Sequence, residues 1–361
     1  MTPWKWFGLV LLALLVSPAG AQAQPVGWGM VVDAQGQIFF CDLERNTVWK
    51  RDLAGRLTPI KERNHCHSLT IDADGNIYGE QVGFGSLPDS GKLALWKITP
   101  GGKFSYLMMP TERPPQEFSI YFDRAGNRYA WAGDRDKNFS QILKRAPSGE
   151  VGVLAGREWG SADGSRDEAR FGSVGALAAG PDGSLYLTDS GNLRRVAPDG
   201  SVTTLGRGVV SDKVAGVPNQ NGMFNHSMGM TVDAAGNVYI VDRGPRHVLR
   251  LSPDGRWTRF PSPWLRTPSG VAVAGNDFYI MELWPLPRFA SELVGNPRIR
   301  RISADGEETT VVAVASTPAR AGTAVLLAVI VAGVVEWRRK RRSRGAAPLQ
   351  RPASHALFSE R

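Results

Sequence analysis

Short apolar runs with strand-like alternation, punctuated by Gly, Asp, Asn and Pro, fill the middle of the chain, and no helical stripe of period 3.6 interrupts them. One sentence of this pattern, "GMTVDAAGNVYIVDRG" at residues 229–244, consists of two apolar runs hinged on a small-residue turn and closed by an acid. It returns as "GMVVDAQGQIFFCDL" from Gly29, "SLTIDADGNIYGEQ" from Ser68 and "FSIYFDRAGNRYAWAGD" from Phe118. Two further copies are "GALAAGPDGSLYLTDS" from Gly175 and "SGVAVAGNDFYIMEL" from Ser269. A spacing of about forty to fifty-five residues marks a repeated supersecondary unit.

Each copy continues into two more β-type runs around a tight turn, as in "HVLRLSPDGRWTRF", "NLRRVAPDGSVTTL" and "IRRISADGEETTVV". Four strands per unit is the size of one β-propeller blade, and a lone blade cannot bury both faces. The repeats therefore predict an all-β, six-bladed β-propeller over residues 24–315. The first and last units each hold four strands of their own, so closure is expected from side-chain packing rather than from a shared strand.

Residues 154–208 carry a more specific signal. They contain Leu-Ala-Gly, then Asp-Gly before Ala-Arg-Phe, then Tyr-Leu-Thr-Asp, Gly-Asn and Arg-Arg-Val. This stretch resembles the NHL repeat, and the resemblance implies a six-bladed propeller without fixing a reaction. The architecture is more distantly similar to the regucalcin and gluconolactonase family, whose members hold one divalent cation on the axis with a Glu of the opening strand and later Asn and Asp residues. The opening strand here, "VGWGMVVDA", has no Glu, and Ser227 and Ser269 stand where an Asn would be wanted, with Asn221 and Asn225 upstream. No catalytic residue is transferred on this likeness.

In a blade whose strands alternate in direction, the turns after the first and third strands open at one end, and here they are tight. The opposite end receives the long insertions, and such loops on a rigid scaffold are where recognition is built. The acids closing the second strands reach this end: Asp42, Glu80, Asp189, Asp242 and Glu282, with Asp134 nearby. His67 and His226 precede first strands there. Glu80, Asp242 and His226 are candidate ligands of one divalent cation (Ca²⁺, Mn²⁺ or Zn²⁺), which would polarise a carbonyl or a water. The competing expectation is structural: a recurring carboxylate pins its own turn, and a histidine packs a surface. Glu80 and Glu282, where the longer acid replaces Asp before an insertion, are open to either role. Trp284 and Phe289, in "LWPLPRF", offer an aromatic contact patch. Arg194-Arg195 and Arg300-Arg301 are expected to pair with carboxylates between blades.

The chain ends change the picture of charge and location. Residues 1–23 combine Lys5, an apolar core and Ala21-Gln22-Ala23, the pattern of a cleaved secretory signal peptide. Residues 316–337 hold the apolar run "AGTAVLLAVIVAGVV", read as a single transmembrane helix reaching between Arg320 and Trp337. The tail, 338–361, begins "RRKRRSR" and is expected inside the cell. The chain carries a formal charge of +9, and residues 336–361 alone contribute eight basic against two acidic side chains. The propeller itself is thus near neutral, which excludes nucleic acid as its partner. Export also bears on the two cysteines: Cys41 and Cys66 either form a disulfide between adjacent blades or remain separate thiols.

Two functions compete on these grounds. One is a membrane-anchored extracytoplasmic binding module for a protein, glycan or small molecule, favoured by the tether and by the absence of G-x-S-x-G, H-E-x-x-H and P-loop motifs. The other is a divalent-metal-dependent hydrolase or lactonase.

Overall fold

The recurring turn explains why the sequence repeats itself. At Asp233, Oδ1 accepts the backbone N–H groups of Ala235 and Asn237 at 3.0 and 2.8 Å, and Oδ2 accepts the Asn237 side-chain amide at 2.7 Å. Asp33, Asp72 and Asp123 repeat this set with Gln37, Asn76 and Asn127. Two strands' worth of chain is thereby reversed with few donors left over. Gly36, Gly75, Gly126 and Gly236 occupy the left-handed region, with φ between +78° and +88°, where a side chain would be strained. The phenols of Tyr78, Tyr129 and Tyr239, six residues past each Asp, donate to the same carboxylates.

The computed structural model describes residues 29–314 apart from 44, 73, 83–91, 113–120, 124, 211–228, 243–245, 262–266 and 284–296. Among them are six antiparallel four-stranded sheets, each running outward in chain order. Blade one holds β1 (Met30–Val32), β2 (Ile38–Asp42), β3 (Thr47–Arg51) and β4 (Leu57–Lys61). Blade two holds β5 (Cys66–Ile71), β6 (Ile77–Val82), β7 (Leu93–Ile98) and β8 (Phe104–Thr111). In blade three they are β9 (Tyr121–Phe122), β10 (Arg128–Asp134), β11 (Phe139–Arg145) and β12 (Val151–Ala155). Blade four follows with β13 (Val174–Ala179), β14 (Leu185–Asp189), β15 (Asn192–Val196) and β16 (Val202–Gly206). Blade five is β17 (Met230–Val232), β18 (Val238–Asp242), β19 (His247–Leu251) and β20 (Trp257–Pro261). Blade six closes the series with β21 (Thr267–Ala274), β22 (Asp277–Leu283), β23 (Arg298–Ile302) and β24 (Glu308–Ala313).

Hydrophobic cores form between blades, because each twisted sheet has two apolar faces to cover. Blades three and four share the largest, built on Ile142, Phe171, Leu185 and Leu187. Blades two and three share the smallest, with Tyr78 and Leu95 buried against Leu107, Met108 and Phe122. The ring closes between its first and last blades: Met30, Ile38 and Phe40 pack with Tyr279, Met281 and Ile299, and β1 touches both β21 and β5. No strand is shared across this junction among the described residues.

The second arginine of each pair departs from expectation by staying within its own blade, while Arg300 also donates to the Pro261 carbonyl of blade five at 3.4 Å. Arg195 binds Asp182 and Arg301 binds Asp277, since register sets each a few ångströms from the turn of the neighbouring strand. The predicted signal peptide, the apolar segment and the basic tail lie outside the described residues. Among the described residues no helix is long and apolar enough to cross a membrane.

Candidate functional site on blade two

Strand register decides which of the loop-end acids are equivalent. Asp42, Asp189, Asp242 and Glu282 each sit at the last paired position of the second strand. All four are buried, and all four meet a basic group. Asp42 accepts the Arg45 guanidinium at 2.7 Å and its backbone N–H at 3.2 Å. Glu282 takes Arg298 at its Oε2 and Arg300 at its Oε1. Asp242 faces His247 Nε2 at 3.6 Å. Asp134, two positions further along β10, caps its own turn and pairs with Lys137.

Asp189 belongs to a larger assembly. Arg194, fully buried, donates to Asp189 at 2.7 Å, to Asp163 at 3.0 Å and to the carbonyls of Arg170 and Ala162, with its guanidinium 4.8 Å from the Phe171 ring centre. Asp163 in turn accepts the Thr204 backbone N–H and hydroxyl. The residues that carry the NHL resemblance are therefore those that strap one long insertion to its blade.

Blade two breaks the pattern. Gln81, not Glu80, occupies the acid's register position, and Glu80 lies one residue earlier, on the other face of the sheet. The expectation that Glu80 is a lengthened version of the recurring Asp is corrected by this shift. Nine residues separate the turn Asp from the closing acid in blades one and five, and the same interval from Asp72 ends on Gln81. That count was available in the sequence. Equivalent positions to Glu80 are held by Cys41, Trp131, Thr188, Val241 and Met281.

A β-bulge prepares the surroundings. Cys66 pairs with Gln81 and Ser68 with Glu80, so His67 is the extra residue on β5. Directly opposite across the ladder, the Ser68 hydroxyl hydrogen-bonds the Glu80 carboxyl and also the Tyr121 phenol of blade three. Burial raises the Glu80 carboxyl above its ordinary range, only partly opposed by the Ser68 bond. Burial, reinforced by Glu80, likewise raises the Tyr121 phenol. Glu80 and Tyr121 keep some accessible surface while Ser68 is buried. Glu80 is the exception among the predicted acids: it has no basic partner among the described residues.

Beside it lies a second polar group. His65 and His67 are buried with ring centres 5.0 Å apart, and His65 Nδ1 sits 2.7 Å from Asn46 Oδ1. Burial pushes the His65 imidazole down to about 4; burial and then the neighbouring His65 push His67 down to about 3. Both are neutral at physiological pH. The Asn64 side-chain amide donates to Gln81 Oε1 at 2.5 Å. Cys41 and Cys66 are joined by a disulfide with a Cα separation of 5.5 Å, tying β2 to the start of β5. Across the sheet, the buried Trp96 ring fills the space that Gly79 leaves; a Cβ at Gly79 would overlap it.

Of the residues nominated as cation ligands, Glu80 stands in blade two and Asp242 in blade five. Among the described residues no group of three or more His, Cys, Asp or Glu side chains is placed to hold a metal ion. Asp242 faces His247 in blade five, and Glu282 pairs with Arg298 and Arg300 in blade six. His226, Trp284 and Phe289 lie outside the described residues. The shallow concavities lined by Asp33, Asp277, Tyr279 and Arg301 open at the tight-turn end, away from these groups.

No protein-family model matches the sequence, and no curated protein is significantly similar to it. Among solved structures, a gluconolactonase from Xanthomonas campestris is 16% identical over 71% of this chain and 82% of its own, with a TM-score of 0.47. A calcium-binding regucalcin from Agrobacterium tumefaciens is 17% identical over 72% and 83%, with a TM-score of 0.45. A virginiamycin B lyase from Staphylococcus aureus is 17% identical over 80% and 85%, with a TM-score of 0.42. The six-bladed propeller rests on the sheet topology and does not depend on these likenesses.

Proposed function

We propose that this chain is an exported propeller, anchored by a single C-terminal membrane helix, that binds a protein, glycan or small molecule at the end of the ring bearing its long loops. The leader at 1–23 and the apolar run followed by "RRKRRSR" support the topology, with the propeller outside and the tail inside. One observation carries the binding assignment: at the loop end of blade two, Ser68, Glu80 and Tyr121 bring polar groups together where the other described blades hold Cys, Trp, Thr, Val or Met. A fold that accepts an uncharged residue at five copies of one position has no structural need for a carboxyl at the sixth.

The test is site-resolved crosslinking on cells expressing the full chain. A photoreactive residue at position 80 or 121 is expected to trap a ligand, and one at Gly102 or Gly255, in the tight turns, is not. Equal trapping at both ends, or none at either, would remove the assignment. Metal analysis of the same purified protein addresses the hydrolase reading: Ca²⁺, Mn²⁺ or Zn²⁺ at one equivalent would move the site to that class.

A further inference from the structure

The blades act as internal controls for one another. Cys41, Trp131, Thr188, Val241 and Met281 show what this position requires for packing, and a carboxyl is absent from that set. Glu80 therefore carries a desolvation cost that packing does not demand. Such a cost is recovered when a cation arrives to share the site.

The groups that face Glu80 say which cation. From β5 comes the Ser68 hydroxyl, from β9 the Tyr121 phenol, and β7 sets the apolar Leu95 directly opposite. The cationic side chains of this interface are engaged elsewhere: Lys97 lies 5.3 Å over the Tyr78 ring, and Arg128 lies 4.9 Å over Phe122. His67, on the same strand, is neutral because it is buried. The result is a set of three oxygens, two of them on partly exposed residues, with no fixed positive charge among the described residues. Three N–H donors on one small head group match three oxygens. A hydrated inorganic ion would want more ligands than this set supplies.

Resting on the binding reading above, we infer that the Ser68–Glu80–Tyr121 cluster between blades two and three is a receptor site for an alkylammonium group, either a free amine or a lysine side chain of a peptide. Association favours the ionised carboxyl: where Glu80 is protonated, Glu80–COOH and R–NH₃⁺ give the Glu80–COO⁻···⁺H₃N–R pair, and that proton passes to the buffer. Burial of the carboxyl in the free protein favours its protonated form, so the proton released grows as the pH is lowered.

Calorimetric titration of the full-length protein in detergent, with n-butylamine as probe and in two buffers of different ionisation enthalpy, tests this at pH 6. Saturable binding with net proton release is expected for the wild type, and no binding for n-butanol. Glu80→Gln, isosteric and uncharged, is expected to weaken binding at least tenfold and abolish the release. Glu80→Met, copying blade six, should do the same, which guards against a fault peculiar to one variant. A Gly-Gly-Lys-Gly-Gly peptide and its acetyl-lysine form separate the two sources: preference for the unmodified peptide over butylamine indicates a lysine, and the reverse a free amine. Equal affinity in wild type and both variants, or equal binding of butanol, would overturn the ammonium site. If the partner trapped at position 121 is still captured by Glu80→Gln, the loop-end binding role stands and only the ammonium assignment falls.

Discussion

In blade four a buried guanidinium meets two carboxylates, two backbone carbonyls and an aromatic face; in blade two a half-buried carboxyl meets a hydroxyl and a phenol. Both groups stand at the same end of the ring, the first on a third strand and the second on a second strand. In the first set every charge is answered within the protein, and its role is to hold the insertion of residues 156–173 in place. The second is incomplete in charge, and a charge left unanswered by the protein is available to something else. Repetition makes the distinction legible, since the other blades show which residue each position needs for folding alone.

The comparison breaks most violently at Arg194. Truncation by Arg194→Ala leaves Asp189 buried without its cation, and a loss of about 4 kcal/mol is expected on chemical denaturation. The double variant Asp189→Leu with Arg194→Met should recover most of that loss, because an apolar pair removes both desolvation costs. If Arg194→Ala costs under about 1 kcal/mol, the assembly is not the strap described here. A smaller effect is expected at the disulfide, which braces the strand carrying the His67 bulge. Replacing Cys41 and Cys66 by Ala frees a loop of 25 residues, with an expected loss of about 3 kcal/mol.

Proton linkage sharpens the contrast next. His65 and His67 titrate near 6.5 when unfolded but only at about 4 and about 3 when folded. Between those limits the unfolded chain binds more protons, so stability is fully present above pH 6.5 and is lost as pH falls. Glu80 has the opposite sign: its raised folded value means the folded chain holds the extra proton, and its contribution is lost as pH rises from 4.5 through that value. Going from pH 7 to pH 5, the imidazoles should prevail, with a net loss on the order of 2 kcal/mol. His67→Asn should flatten the profile by about one proton; an unchanged profile would show that burial does not set the charge of these rings.

Much of this was written in the sequence in physical terms. Asp-x-x-Gly-Asn-x-Tyr is a hydrogen-bond set that three blades carry and a fourth varies, and once the six repeats are counted the four-stranded blade and the ring follow. The division into a tight-turn end and a loop end came from strand direction alone. What remained hidden depended on contacts between blades. Tyr121 precedes a turn like any other inner-strand residue, and nothing local announces that its phenol meets Ser68 of the preceding blade. The bulge at His67 is similarly silent, because an extra residue on one strand shows only against the register of its partner. Glu80 was singled out for its length, whereas its importance lies in parity: one position toward the turn places it on the other face.

The smallest expected effect is the most discriminating. Glu80→Met puts into blade two the residue that blade six carries at the same register, fully buried as Met281. Volume is nearly conserved, so no large cavity term arises. At pH 7.5 the substitution removes a carboxyl whose charged form is disfavoured by burial and has no basic partner among the described residues, while Ser68 and Tyr121 retain their mutual hydrogen bond. A gain of about 1 kcal/mol in unfolding free energy is therefore expected, shrinking as pH falls toward 4, where the carboxyl is mostly neutral even when unfolded. The same change at the blade-four nexus, Asp189→Met, should instead destabilise, because it strands Arg194. Should Glu80→Met also destabilise at pH 7.5, the carboxyl would be a structural member after all, and the two blades would differ only in which atoms they use to hold themselves together.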